Sequence, residues 1–213
     1  MPKALQIMNL AMLFGKSFLR GVTIMSNNYP TLGIIGGTGW PSTVTYFQGI
    51  PRRVQQRLGG LNTPSIVFQS RNFAQVDQWM HEGNWGAVTG LFAELTLQMK
   101  RSSNIDALAI LSNTLHKVAP KVAEIADVPL IHIGECTAAD VSEQGIDRVG
   151  FIGTKFTMQE DFILKCFRER GIEVLRHPAQ QWVKSTESSF RNFARMRPTM
   201  RSRVTSSFSR WQK

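Results

Sequence analysis

The chain has 213 residues, 42% of them hydrophobic, enough for one large or two small domains with a real core. Its formal charge of +10 would ordinarily point to a nucleic-acid or acidic-membrane partner. That excess sits at the two ends: residues 1–30 carry three bases and no acid, residues 177–213 carry eight bases and Glu187, and residues 31–176 hold fourteen of each sign. The body is neutral, so its composition does not mark it as a nucleic-acid binder. Two cysteines, Cys136 and Cys166, exclude a disulfide framework and lack zinc-ligand spacing, so no metal is expected. This usage suits a reducing cytoplasm. No apolar run approaches the roughly 18 residues that cross a bilayer, and no membrane partner is expected.

The first stretch, Met1 to Met25, is basic, acid-free and moderately apolar around Leu10-Ala11-Met12-Leu13-Phe14, which imitates a targeting presequence without an Ala-x-Ala-like cleavage site. The plainer expectation is a fold that starts near Tyr29, with Met25 as a natural initiator and residues 1–29 a leader outside the fold. Leu32 to Ile35 then reads as a buried strand running into Gly36-Gly37-Thr38-Gly39-Trp40-Pro41-Ser42-Thr43. Glycines permit a sharp turn, Pro41 suits a first helical turn, and main-chain N–H groups there can hold an anion. Neither GxGxxG nor GxxxxGK[ST] is present, so a small carboxylate suits the turn better than a nucleotide. The alternative is a tight strand-to-helix turn without a ligand.

Val44 to Leu58 has a helical pattern interrupted by Gly49 and Pro51, and proline inside a helix costs roughly 3 kcal/mol, which predicts a break or kink. Pro64 to Phe68 reads as the second strand. Asn84 opens a helix that buries Trp85, Val88, Leu91, Phe92, Leu95 and Met99 on one face. Asp106 to Leu111 is the third strand. It stops abruptly at Ser112-Asn113-Thr114-Leu115-His116, of which four can hydrogen-bond, and a helix over Lys117 to Asp127 follows. In open α/β sheets ligands sit outside the carboxyl ends of the strands, so Ser112 to His116 are the leading candidate site residues. A turn in which Ser112 or Thr114 merely caps the helix is the alternative.

Pro129 to Ile133 reads as strand four, Glu135 to Gln144 as a helix, and Val149 to Ile152 as strand five ending at Gly153-Thr154. Thr157 and Glu160 form a capping box for a helix that Gly171 closes, and strand six starts at Ile172. Strands alternating with helices predict a parallel, three-layer α/β arrangement with right-handed crossovers.

Three stretches in order carry a family resemblance: Leu32-Gly-Ile-Ile-Gly-Gly-Thr-Gly-Trp-Pro-Ser-Thr43, Ser112-Asn-Thr-Leu-His116 and Val149-Gly-Phe-Ile-Gly-Thr-Lys-Phe-Thr-Met158. Over roughly residues 31–176 the chain resembles the aspartate/glutamate racemase family. The resemblance implies two similar α/β lobes with a site between them, the first largely present over 30–132 and the second begun over 133–176 and incomplete. It also implies cofactor-independent inversion of a small amino-acid substrate by two thiols, and a possible homodimer. Two groups are needed because one base removes the α-proton from one face while an acid must deliver a proton to the other. By resemblance Ser112 takes the first acid/base place, and Gly37, Thr38, Asn113, Thr114 and Thr154 line a carboxylate-binding cleft.

The sequence departs from that pattern twice. Most members have cysteine where Ser112 stands, and a hydroxyl is a weaker acid and a weak base unless activated, which implies an asymmetric or slower reaction. His116 would activate it if the two side chains meet; capping or packing is the alternative for that imidazole. The family's second thiol lies in a late Gly-Cys-Thr-Glu motif, and none follows residue 176. Glu135-Cys136-Thr137 mimics it after strand four, where the family does not put that thiol, and Cys166 reads as a packing residue. Arg52, Arg53 and Arg57 could reach a carboxylate or form a solvated helix face.

From Ser185 the chain becomes Arg/Ser-rich, a change that a truncation or an altered reading frame would produce, and residues 177–213 are expected to form a basic, disordered tail. Phe190, Phe193, Phe208 and Trp211 among its bases offer a competing reading as a single-stranded nucleic-acid grip, but nothing gives the tail a groove, and nucleic acid is not the expected partner. Two further readings are a catalytically inactive remnant and a small-carboxylate binding protein.

Overall fold

The computed structural model describes residues 30–176 apart from Ile152 and Thr154. β1 (Thr31–Gly36) pairs in parallel with β2 (Ser65–Ser70) and β3 (Ala107–Ile110), and β3 pairs in parallel with the short β4 (Leu130–Ile131). The sheet order is β2-β1-β3-β4. β3 and all but the first residue of β1 are buried, while β2 and β4 at the edges are half-exposed, which is why the central strands read as unbroken apolar runs.

Side chains of a strand alternate between faces, so each face has its own core. On one side Ile35, Leu108 and Ile110 meet Phe92, Leu95 and Met99 of α3 (Trp85–Ser103) and Val122 of α4 (Ala119–Ala126), with α2 (Phe73–His81) adding Val76 and Met80. On the other side Ile34, Ala107 and Ala109 meet Tyr46 and Ile50 of α1 (Trp40–Leu58). The result is the three-layer parallel arrangement that the alternating pattern predicts.

A second group of elements follows: α5 (Ile133–Glu143), β5 (Arg148–Phe151), α6 (Lys155–Gln159), α7 (Leu164–Arg168) and β6 (Glu173–Arg176). β5 and β6 form a separate two-stranded parallel sheet over a core of Ala138, Phe151, Met158, Leu164, Phe167 and Ile172. Contacts tie the two groups together. The Phe156 ring meets Trp85 edge-on with centroids 5.5 Å apart, and the Lys117 ammonium lies 4.1 Å over the Trp85 ring while pairing with Glu160 at 2.8 Å. The cation is half-buried there, where attraction to an indole face is stronger than in open water.

Several expected elements differ in detail. α1 runs unbroken from Trp40 to Leu58 with Pro51 inside it. The carbonyl that Pro51 leaves without a helical donor belongs to Phe47, on the solvent side of the helix, where water can replace the lost bond. α2 is additional to the predicted elements, and its start is marked by Asn72, whose side-chain oxygen accepts from the Ala74 N–H at 3.0 Å. β4 is two residues rather than five, because His132 already caps α5. The helix expected from Thr157 to Gly171 is two short helices: Thr157 lies inside α6, and Glu160 directs its carboxylate to Lys117 rather than to an amide of its own first turn. Residues 1–29 and 177–213, with the leader and tail readings, lie outside the described residues.

Candidate functional site

Parallel pairing decides which loops meet. Ile35 pairs with Ile110 and Gly36 with Ser70, and the Leu111 N–H extends the ladder by donating to the Ile35 carbonyl at 2.8 Å. The turn after β1, the end of β2 and the Ser112-Asn113 segment therefore converge at the carboxyl edge of the sheet, as the crevice rule for open α/β sheets requires.

The β1 turn is tightly built. Gly37 has φ of 84°, in the region that favours glycine, and a Cβ there would lie 2.0 Å from Ser70 Oγ. Its N–H donates to Thr43 Oγ1 at 3.0 Å, and that hydroxyl in turn lies 3.4 Å from the Gly39 carbonyl. Gly37 thus shapes the turn while its own amide serves the first turn of α1. Thr38 is half-exposed beside it.

The segment after β3 divides in two. Ser112 and Asn113 are half-exposed, whereas Thr114, Leu115 and His116 turn inward in a 3-10 turn (Thr114–Lys117). Of the residues expected to line a carboxylate cleft, Asn113 stands at this edge with Gly37 and Thr38, Thr114 is buried beneath it at 8% exposure, and Thr154 lies outside the described residues.

The His116 side chain does not meet the Ser112 hydroxyl; it packs inward, the reading of this imidazole that needs no role in activation. The His116 ring is 1% exposed, with Nδ1 2.8 Å from the Ser112 carbonyl oxygen and Nε2 3.1 Å from the Ile133 amide nitrogen. A carbonyl only accepts and an amide N–H only donates, so the ring carries its proton on Nδ1 and accepts at Nε2. Both nitrogens are committed to main chain, leaving none for the Ser112 hydroxyl. Burial, and then the neighbouring His132 imidazole edge-on at 4.7 Å, push the His116 pKa down to about 3.

His132 is a site neighbour that its place in a predicted strand concealed. Its Nδ1 accepts from the Glu135 N–H at 3.3 Å and caps α5, and burial lowers its pKa as well. The two thiols are poorly suited to proton abstraction. Burial, and then the Glu135 carboxylate, push Cys136 up to about 11. Cys166, packed in the second core, is pushed up to about 12 by burial and by Glu135. Thiolate character is what makes cysteine a base, and both are held protonated at neutral pH.

Arg52, Arg53 and Arg57 are exposed on the far half of α1. At 1.5 Å rise per residue, Arg52 lies about 18 Å along the helix from Trp40, away from the carboxyl edge. They form the solvated face. Among the described residues no group of His, Cys, Asp or Glu could hold a metal ion, and no helix is long and apolar enough to cross a membrane.

A parallel α/β arrangement with its polar loops gathered at the carboxyl strand ends is the fold that the resemblance implies. The Asp/Glu/hydantoin racemase family model matches residues 35–191, and the chain belongs to that family. The match reaches past the Arg176 limit of the motif resemblance. A crystal structure of a candidate Asp/Glu racemase from Yersinia pestis is 33% identical, aligned over 71% of this chain and 66% of that one, with a TM-score of 0.66. An aspartate racemase homologue from Pyrococcus horikoshii OT3 is 25% identical over 76% of this chain and 68% of its own, with a TM-score of 0.63. The chain thus spans just under two thirds of the length of the Yersinia protein.

Two outcomes follow from this geometry. Gly37→Ala combines positive φ with a clash at Ser70 Oγ and should lower stability by about 1–3 kcal/mol, measured as a reduced urea midpoint. His116→Phe tests the buried imidazole. A histidine whose pKa is lower folded than unfolded contributes stability that is complete above about pH 6.5 and declines as the pH falls towards about 3, by at most roughly 1.4 kcal/mol per pH unit. The variant lacks that slope, so the stability gap between wild type and variant should narrow between about pH 7 and pH 5. A constant gap would contradict the buried neutral imidazole.

Proposed function

We propose that the chain binds an amino acid through its α-carboxylate at the carboxyl ends of β1 and β3, with Ser112 beside the α-carbon as a single acid/base group. The observation that carries this reading is the placement of Ser112 and Asn113, half-exposed beside the Gly37 turn at the converging strand ends, in a chain of the Asp/Glu racemase family. Main-chain amides at such an edge suit a carboxylate, and the Ser112 hydroxyl, once it has given its own proton to solvent base, can take the α-proton and return a solvent proton to the same face.

Inversion asks for a second group on the opposite face. Neither Cys136 nor Cys166 is suited to that part, since burial holds both thiols protonated. The reading is therefore one of carboxylate recognition with one-sided α-proton exchange rather than efficient racemisation. A carboxylate-binding protein without turnover is the second reading, favoured by the commitment of both His116 nitrogens to main chain, which leaves Ser112 without that activator.

Incubation with L- and D-aspartate, glutamate and alanine in heavy water, read by proton NMR and chiral chromatography, tests both. The expected result is α-deuterium incorporation without inversion, reduced at least roughly 100-fold in Ser112→Ala. Exchange that survives Ser112→Ala removes the serine from the chemistry, and binding without exchange selects the second reading.

A further inference from the structure

His116 lies between the candidate site and the second lobe, and each of its nitrogens serves a different side of that boundary. Nδ1–H holds the Ser112 carbonyl at 2.8 Å, and Nε2 holds the Ile133 amide, in the first turn of α5, at 3.1 Å. The described chain contains no cis peptide bond. In a trans peptide the carbonyl of one residue and the N–H of the next point in opposite directions. A Ser112 carbonyl drawn onto the buried imidazole therefore turns the Asn113 N–H away from that ring. Among the described residues that N–H has no hydrogen-bond partner, while the Asn113 carbonyl is used by the His116 amide at 3.2 Å.

We infer that His116 is a positioning residue: its Nδ1–H tautomer sets the Ser112–Asn113 peptide plane so that the Asn113 N–H is presented at the carboxyl edge as a donor for a carboxylate, while its Nε2 fixes the start of the second lobe against the same loop. This deepens the proposed function and rests on it for the identity of the ligand, though the orientation of the peptide stands on the hydrogen bonds alone. The Ile131 carbonyl also faces this ring, yet the closer geometry favours Nδ1–H, because reversing the tautomer would set Nε2–H against the Ile133 N–H and leave Nδ1 facing the Ser112 carbonyl. The ring is a packing element as well. The His132 imidazole stacks edge-on against it and itself caps α5, so two rings and three main-chain groups, the Ser112 carbonyl and the Ile133 and Glu135 amides, connect this loop to the α5 first turn.

The two bonds can be separated by substitution. Asparagine places a donor near the Nδ1 position and can hold the Ser112 carbonyl, but it is too short for Ile133. Glutamine places an acceptor near the Nε2 position and can hold the Ile133 amide while releasing Ser112. Both leave one buried group unpaired and should cost similar stability, which gives a control for merely structural effects.

The test uses the full chain, labelled with nitrogen-15, as wild type, His116→Asn and His116→Gln, with assignment of the Asn113 amide and the His116 ring nitrogens. The expected result without ligand is a protonated Nδ1 in the wild type, an Asn113 amide resonance retained in His116→Asn, and a shifted one in His116→Gln. With L-aspartate added, that resonance should move in wild type and His116→Asn, and the apparent dissociation constant in His116→Gln should rise about tenfold, the cost of one misdirected donor. A protonated Nε2, or an Asn113 resonance equally unperturbed in both variants, overturns the positioning role. If no amino acid shifts the wild-type amide, the functional reading fails while the ligand-free comparison still decides the role of His116.

Discussion

The parallel ladder between β1 and β3 is the constraint on which the rest depends. Two strands that run in the same direction, side by side and both buried, must end together, and the Leu111 N–H to Ile35 carbonyl bond carries the pairing to the last residue before the polar segment. Parallel strands also force each connection back across a sheet face, which is why helices cover both sides and why the apolar residues of β1 and β3 are divided between two cores. The loop after β1 is then bounded by Ser70 at the end of β2 and by Ser112 after β3. Gly37 is the residue that lets the turn fit between its neighbours, and Thr43 fastens the helix that follows to the same turn.

Burial decides the chemical character of the ionisable groups around this edge. His116 and His132 are moved towards neutrality and Cys136 and Cys166 towards protonation, so these buried groups carry polar atoms without charge. Neutral imidazoles can both donate and accept, and the lobes use that property to satisfy main-chain groups at a strand end and a helix start that would otherwise be buried without partners. Charge appears further out, where Lys117 and Glu160 meet at half-buried positions and Arg170 pairs with Glu135. Those pairs gain less from Coulomb attraction than the buried groups would lose by going unpaired.

The parallel α/β architecture was legible because β1 and β3 hold short unbroken apolar runs, as strands covered on both faces do, between segments of helical pattern. The Ser112-Asn113 edge was legible for the related reason that the polar residues begin where β3 ends. What eluded pattern reading was set by tertiary partners. His132 sits among apolar residues and reads as strand, yet its imidazole accepts from the Glu135 N–H and starts a helix two residues early. Thr157 and Glu160 have capping-box spacing, but Lys117, 43 residues away in sequence, takes the carboxylate. Pro51 promised a break, but the Phe47 carbonyl it leaves without a helical donor belongs to an exposed residue of α1. The role of His116 was the least legible, since spacing put it one turn from Ser112 and could not tell whether the ring would meet the hydroxyl or the carbonyl. That depends on the arrival of Ile133 at Nε2, a contact made across the lobe boundary.

Recognition and inversion make different demands on such an edge. A carboxylate needs donors from one side, and main-chain amides provide them regardless of which side chain follows the strand. Inversion needs two acid/base groups on opposite faces of one carbon, each able to change protonation near neutral pH. On the proposed reading the first demand falls on the Ser112–Asn113 peptide and the turn beside it, whose geometry is held by hydrogen bonds that do not involve the Ser112 hydroxyl. The second demand falls on side chains, and replacing a thiol by a hydroxyl at position 112 removes acidity without disturbing the main chain that positions it. Binding can therefore persist where turnover is weakened, because one rests on the Asn113 N–H and the other on the Ser112 hydroxyl.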